Sequence, residues 1–250
     1  MSEQPAAAPR SPGSRNRLRV VSWNIQFGRR ADDAAEILAE HPELRDADVV
    51  MLQEMDEPGT EVIAERLGLF HEYAVASVHP QTDRSFGNAI LSRWPQSTPR
   101  VVHLPHVAAV QGQPRIALTT SLDVDGRAVE AVSVHTETPV LSHRKRLVQF
   151  TALGDAIAGS DDQRVLLGGD FNTASSRSVQ AVTEELAKRR LHRMSAGSGP
   201  TLRRARRDFV LDHVFAKGFA PVDTGVVRGL DVSDHAPVWA EVEMLSPTGR

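Results

Sequence analysis

Polar and acidic residues recur at the ends of apolar runs in this sequence. Val20-Val21-Ser22-Trp23 leads to Asn24, and Val49-Val50-Met51-Leu52-Gln53 leads to Glu54. Val132-Ser133-Val134 leads to His135, and Val165-Leu166-Leu167-Gly168-Gly169 leads to Asp170, with Asn172 two places on. Asp212 lies within the run 209–216, and Ser233-Asp234-His235 precedes the last one. Taken singly, each is an ordinary loop or core residue. Together they supply carboxylates, amides and imidazoles, the inventory of a phosphoesterase that uses a hard metal ion. Gathered carboxylates repel, and one would take up a proton unless a cation offset the charge. Mg²⁺ or Mn²⁺ prefers oxygen ligands and would polarise a phosphoryl oxygen. An imidazole titrates in the range that suits a base for an attacking water. An Asp beside it would fix its tautomer. Amide and imidazole donors could neutralise charge developing on the phosphoryl oxygens.

Strand ends are rigid mounts for such groups, so the elements matter. The pattern predicts strands over 18–25, 49–53, 73–78, 88–92, 116–124, 127–134, 164–167, 209–216, 220–227 and 236–244. Asp125-Gly126 is the turn of the clearest hairpin. Helices are predicted over 31–40, 60–67 with Gly68 as stop, 142–158 with Ser142 as cap, and 178–189. A polar loop is expected over 79–85. This is not a regular alternation of strand and helix, so two packed sheets flanked by helices fit better than a doubly wound sheet.

With 250 residues, 40% of them hydrophobic, the chain can bury a sizeable core as one domain. It has no cysteine, which excludes disulfides, thiolate catalysis and cysteine-held zinc. Residues 1–16 are rich in Ala, Pro, Ser and Arg without an apolar stretch. They read as a disordered leader rather than an export signal. Residues 17–245 are the expected domain and 246–250 a loose tail. No run is long enough to span a bilayer, and the expected location is cytoplasmic.

The order Trp-Asn-Ile, Gln-Glu, Gly-Asn-Ala-Ile-Leu-Ser, strand-His, Gly-Asp-Phe-Asn, Leu-Asp-His-Val-Phe and Ser-Asp-His resembles the endonuclease/exonuclease/phosphatase superfamily over residues 18–244. The resemblance implies an α+β fold of the DNase-I-like kind, a four-layer αββα sandwich of two mixed sheets with the site at one edge. It implies Glu54 as the principal metal ligand, with Asn24 and Asp234 nearby. His235, paired with Asp212, would be the general base or a phosphate-binding imidazole. Asp170 would position or activate the water, Asn172 would orient the phosphate, and His135 would be a second imidazole on it. Asn88 and Arg115 match positions facing the substrate, although Arg115 could equally pair with an acid at a sheet edge. Phe86 stands where the family often has Tyr, so a hydroxyl contact is missing there. His213 should point to the opposite face from Asp212 and be structural.

Within the superfamily, inositol-polyphosphate phosphatases carry a Cys-Asp-Arg segment where this chain has Val210-Leu211-Asp212-His213. Secreted sphingomyelinases would need an export signal. Abasic-site nucleases usually have a basic face, whereas the formal net charge here is -3. One basic segment, with Arg203, Arg204, Arg206 and Arg207, runs into the strand holding Asp212. It should border the site and could contact nucleic-acid phosphates or a smaller anionic substrate. Arg144-Lys145-Arg146 reads as a solvated helix face. The expectation is hydrolysis of a phosphodiester, of a nucleic acid or a small molecule. The alternatives are a phosphomonoesterase acting on a sugar, inositol or lipid head group, and an inactive binding module.

Overall fold

The computed structural model describes residues 16–78, 83–107, 112–159 and 163–246. Residues 1–15 of the expected leader 1–16, 247–250 of the expected tail 246–250 and part of the loop expected over 79–85 lie outside the described residues. One sheet contains β1 (Arg17–Asn24), β2 (Val49–Met55), β3 (Phe70–Val78), β4 (Ser85–Ser92), β13 (Phe219–Val226) and β14 (Val238–Met244), in the order β13-β14-β1-β2-β4-β3. The other contains β5 (Gln96–His103), β6 (Ile116–Val124), β7 (Arg127–His135), β8 (Arg164–Asp170), β9 (His192–Arg193) and β12 (Asp212–Lys217), in the order β5-β6-β7-β8-β12-β9. A short ribbon of β10 (Leu202–Arg204) and β11 (Arg207–Phe209) stands beside them.

Each sheet has a parallel pair at its heart, β1 with β2 and β7 with β8. Each pair is joined by a crossover helix, α1 (Ala31–Glu40) and α3 (His143–Ile157) respectively. Two further helices, α2 (Glu57–Leu67) and α4 (Ser176–Ala187), complete the outer layers. The packing follows from strands that are apolar on both faces. Leu18, Val20, Met51, Ile90, Leu118, Leu166 and Val214 meet between the sheets. Val21, Trp23, Val50 and Leu52 face Ala34, Leu38 and Ile63 of the first helix layer. Val132, Val165, Leu167 and Phe215 face Phe150, Leu153, Val182 and Leu186 of the second. The result is an αββα sandwich. Gly168 marks a close approach of the sheets, since a Cβ there would lie 2.6 Å from Met51 Sδ and 3.1 Å from Ser22 Cβ.

Several element boundaries differ from those expected. Asp56 caps α2 by accepting from Gly59 N at 3.0 Å, so that helix begins at Glu57 rather than Thr60. Ser175 and Ser178 form a capping box that starts α4 two residues early. Ser142 occupies the cap of α3, but its side chain makes no capping hydrogen bond. The run 209–216 is two strands rather than one. The N–H groups of Leu211 and Asp212 turn to Thr201 Oγ1 at 3.1 and 3.2 Å, and this separates β11 from β12. β5, an edge strand with mostly exposed residues, carries no apolar alternation and was not anticipated. Among the described residues, no helix is long and apolar enough to cross a membrane.

Candidate active site

Three adjacent strands of the second sheet place three chemical groups in one row. His135, the last residue of β7, is in register with Asp170, the last of β8, and Asp170 with Asp212, the first of β12. Residues in register across neighbouring strands share a face. His135 Nε2 lies 3.4 Å from Asp170 Oδ2. The first sheet contributes Asn24 from the end of β1, whose Nδ2 donates to the same Asp170 oxygen at 3.2 Å. Asn24 Oδ1 accepts from Gln26 N at 3.0 Å, which fixes the amide's orientation.

His235 enters on the loop before β14 and is held from several sides. Its carbonyl accepts from Trp23 Nε1 at 2.8 Å, and its N–H donates to Ser233 Oγ at 3.1 Å. Ser233 Oγ in turn donates to the carbonyl of Asn24 at 2.6 Å. His235 Nδ1 sits 2.8 Å from Asp212 Oδ2, and Nε2 sits 3.8 Å from Asp170 Oδ2. Burial alone would push the His235 pKa down, but the Asp212 and Asp170 carboxylates outweigh it and raise it to about 10. Burial raises Asp170 to about 7, helped by Asp212 and opposed by His235. His135 is driven well down, first by burial and then by the charges of Arg115 and His235, so it is neutral at pH 7.

Glu54 stands at a bulge of β2 against β4, between Gln53 and Met55, with φ of 58°. A bulge re-aims a side chain, and a left-handed φ on a non-glycine residue is strain that the surroundings must impose. Those surroundings are a polar lattice between the sheets. Ser133 Oγ donates to Leu52 O at 2.9 Å, and Gln53 Nε2 donates to Ser133 Oγ at 3.1 Å. Burial raises the Glu54 pKa, against the Asn24 hydrogen bond and the charges of His235 and Arg115. Asp234 is exposed, at the mouth beside His235.

The remaining expected residues divide. Asn172, with φ of 50°, donates its N–H to Asp170 Oδ1 at 2.8 Å and its Nδ2 to Thr136 O at 3.0 Å. Arg115 is buried and places Nη1 3.2 Å from His135 Nδ1, with Nη2 3.5 Å from Glu137 Oε1. Its guanidinium lies over Phe86, so the ring that stands in place of a tyrosine serves as a platform for cation and imidazole. Asn88 is a different case. Its Nδ2 donates to the carbonyls of Ile116 and Ser133, both at 3.0 Å, so its amide hydrogens tie the sheets together and none is left for a phosphate. His213 points to the outer face, 2.7 Å from Thr173 Oγ1 and packed on Phe171.

Arg146 corrects the sequence reading of a solvated basic face. Arg144 and Lys145 are exposed, but Arg146 is buried. Its Nε donates to Glu137 O at 3.1 Å, and its Nη2 donates to the carbonyls of Phe171 and Asn172 at 2.9 and 2.7 Å. It clamps the loop that carries Asp170 and Asn172. A cavity of about 680 Å³ between α4 and β11, with Thr173, Val179 and Phe209 in its lining, lies outside this row of groups.

The two-sheet sandwich with polar groups converging at one edge is the DNase-I-like architecture. The chain belongs to the endonuclease/exonuclease/phosphatase family, whose model matches residues 21–235. Members of this family are hydrolases of phosphoesters. Among solved structures it is similar to an endonuclease/exonuclease/phosphatase from Beutenbergia cavernae, with TM-score 0.75 and 24% identity over 93% of this chain and 72% of that one. It is also similar to D. rerio TDP2 complexed with a single-strand DNA product, with TM-score 0.71 and 18% identity over 91% and 99% of the two chains. A mannosyl-6-phosphatase from Bacteroides thetaiotaomicron follows, with TM-score 0.68 and 17% identity over 90% and 99%. At these identities the likeness is one of fold. No curated protein matches the sequence.

Proposed function

We propose that this protein hydrolyses a phosphodiester by in-line attack of water, with Mg²⁺ or Mn²⁺ bound by Glu54, Asn24 and Asp234. The observation that carries the reading is the Asp212–His235–Asp170 array beside Glu54, drawn from both sheets into one buried edge. The donor set suits a hard cation, being oxygen throughout. Burial raises the Glu54 pKa against the Asn24 hydrogen bond and the charges of His235 and Arg115, and Asp234 adds to the rise, so a cation between the two carboxylates would be favoured there. A divalent ion there would polarise the phosphoryl group and stabilise the leaving oxygen.

Asp170, Asp212 and His235 also offer ligand atoms within 4.8 Å of one another. We assign that trio to proton handling instead, because His235 Nδ1 is already engaged by Asp212. Asp212 holds His235 in its charged form, so His235 Nε2 donates to a phosphoryl oxygen. Asp170 is fixed by Asn24 Nδ2 and the N–H of Asn172, and it orients the water and accepts its proton. Neutral His135, backed by Arg115, contributes a second donor towards the phosphate.

The diester preference is supported by cationic side chains of the β10–β11 ribbon, whose base is bonded to the His235 loop through Ala236 N and Thr201 O at 2.7 Å. Nucleic acid is one phosphodiester this arrangement would suit. The reading is tested with Mg²⁺, Mn²⁺ or EDTA on bis-(p-nitrophenyl) phosphate, p-nitrophenyl phosphate, single- and double-stranded DNA and an abasic duplex. Metal-dependent cleavage of the diester or DNA is the expected result. Cleavage of the monoester alone would make the protein a phosphomonoesterase. Silence on every substrate would favour a binding module.

A further inference from the structure

Arg115 brings a buried guanidinium close to the acids of the site, and its charge acts on Glu54. Its ion pair is nevertheless with Glu137, two residues beyond His135, through Nη2 and Oε1 at 3.5 Å. The side chain of Glu137 is fully buried. A carboxylate there needs a cation, since an unpaired buried charge is strongly unfavourable. The chain around it is tied on both sides. The N–H of Glu137 donates to Gln149 Oε1 at 3.0 Å, and its carbonyl accepts from Arg146 Nε at 3.1 Å. Oε1 also accepts from the N–H of Thr138 at 2.9 Å, which holds the carboxylate's orientation. Glu137 is thus the fixed anchor, and Arg115 the long side chain that it holds.

The same guanidinium meets His135. Nη1 lies 3.2 Å from Nδ1 and 3.3 Å from Nε2, so distance alone lets either ring nitrogen accept from it. A guanidinium only donates, and a neutral imidazole has one donor and one acceptor nitrogen. Asp170 decides between the two. Its Oδ2 lies 3.4 Å from Nε2, and the same carboxylate accepts from Asn24 Nδ2 and from the N–H of Asn172. Nε2 therefore carries the proton, and Nδ1 accepts from Arg115. The partner of one ring nitrogen fixes which nitrogen is protonated. Were Arg115 drawn to Glu54 or Asp170 instead, Nδ1 would lose its donor and both tautomers would be populated.

We propose that Glu137 is a positioning residue for the reaction. It keeps the Arg115 guanidinium on Nδ1 of His135, and so keeps the imidazole proton on Nε2, available to Asp170 and to a phosphoryl oxygen. Glu137 acts only through Arg115 and His135. The proposal rests on the phosphoesterase reading for the use made of that proton, and on geometry alone for where the proton sits.

The first test needs no altered site. Imidazole ¹⁵N NMR of the wild type near pH 7, with His135 assigned by its loss in His135→Gln, should show a protonated Nε2 and an unprotonated Nδ1. Glu137→Gln keeps the shape and an acceptor oxygen but removes the charge. It should give a mixture of tautomers and lower kcat for a diester by at least about tenfold, while KM changes by less than about threefold. In an Arg115→Met background the same substitution should change kcat by less than about twofold, because its effect passes through the guanidinium that is gone. A loss that came from folding alone would instead multiply in that background, and would lower the urea midpoint without altering the tautomer. A proton on Nδ1 in the wild type, an unchanged tautomer in folded Glu137→Gln, or a full loss that persists in Arg115→Met overturns the proposal. A wild type with Nε2 protonated that turns over no phosphoester removes the phosphoesterase reading and leaves the hold of Glu137 on Arg115 and His135 standing.

Discussion

Replacing Arg146 with Met would remove a guanidinium that donates to the carbonyls of Glu137, Phe171 and Asn172. Met keeps much of the volume but leaves buried carbonyls without their donor. Hydrogen bonds from a charged donor contribute about 1.5–3 kcal/mol each, and they do not add fully. A loss of about 3–5 kcal/mol is therefore expected, large against the roughly 5–15 kcal/mol of a typical domain. The loop bearing Asp170 and Asn172 would relax, so kcat should fall by more than about tenfold while KM changes less. Arg146→Lys keeps the charge but not the fork, and should recover only part of the stability. Urea denaturation followed by tryptophan fluorescence reads the first effect, since Trp23 is buried and bonded to the His235 loop. Steady-state hydrolysis of a diester reads the second. A Met variant that unfolds within about 1 kcal/mol of the wild type and keeps its kcat would refute the clamp.

Asp212→Asn should preserve the fold but unsettle the tautomer and charge of His235, lowering kcat by about 10²–10⁴-fold. Circular dichroism and steady-state kinetics check both halves of that statement. His213 is buried and neutral, its pKa held well below 6.5 by burial and by Arg193. The unfolded chain binds that proton more readily, so stability should fall as pH drops below about 6.5, by up to about 1.4 kcal/mol per pH unit from this group. His213→Gln should flatten the pH dependence of the urea midpoint between pH 7 and pH 5, and an unchanged slope would show that His213 takes up its proton while folded.

Much of the sandwich was legible because its central strands are apolar on both faces and end in polar residues. That pattern pointed to Asn24, His135, Asp170 and Asp212, and the register of β7, β8 and β12 sets three of them side by side. The resemblance to the superfamily assigned their roles. The edges were harder to read. β5 has an exposed sequence with a proline, and its strand character comes from pairing with β6. The break between β11 and β12 depends on Thr201, a residue remote from both in the pattern. Arg146 sits in a basic run whose neighbours are solvated, and nothing local distinguishes the one arginine that folds inward. Glu54 was identified as an acid at a strand end, but its bulge and left-handed φ arise only when β2 meets β4. Asn88 was placed near the substrate because its motif matched, whereas its amide is spent between the sheets.

Titrating Mg²⁺ or Mn²⁺ into metal-free wild-type protein and Glu54→Gln while following diester hydrolysis tests whether Glu54 holds a metal that the reaction needs. Turnover should appear with the metal, disappear with EDTA, and need a metal concentration at least about tenfold higher in the variant. Hydrolysis that persists in EDTA, or a Glu54→Gln variant with the wild-type metal requirement, would contradict that role.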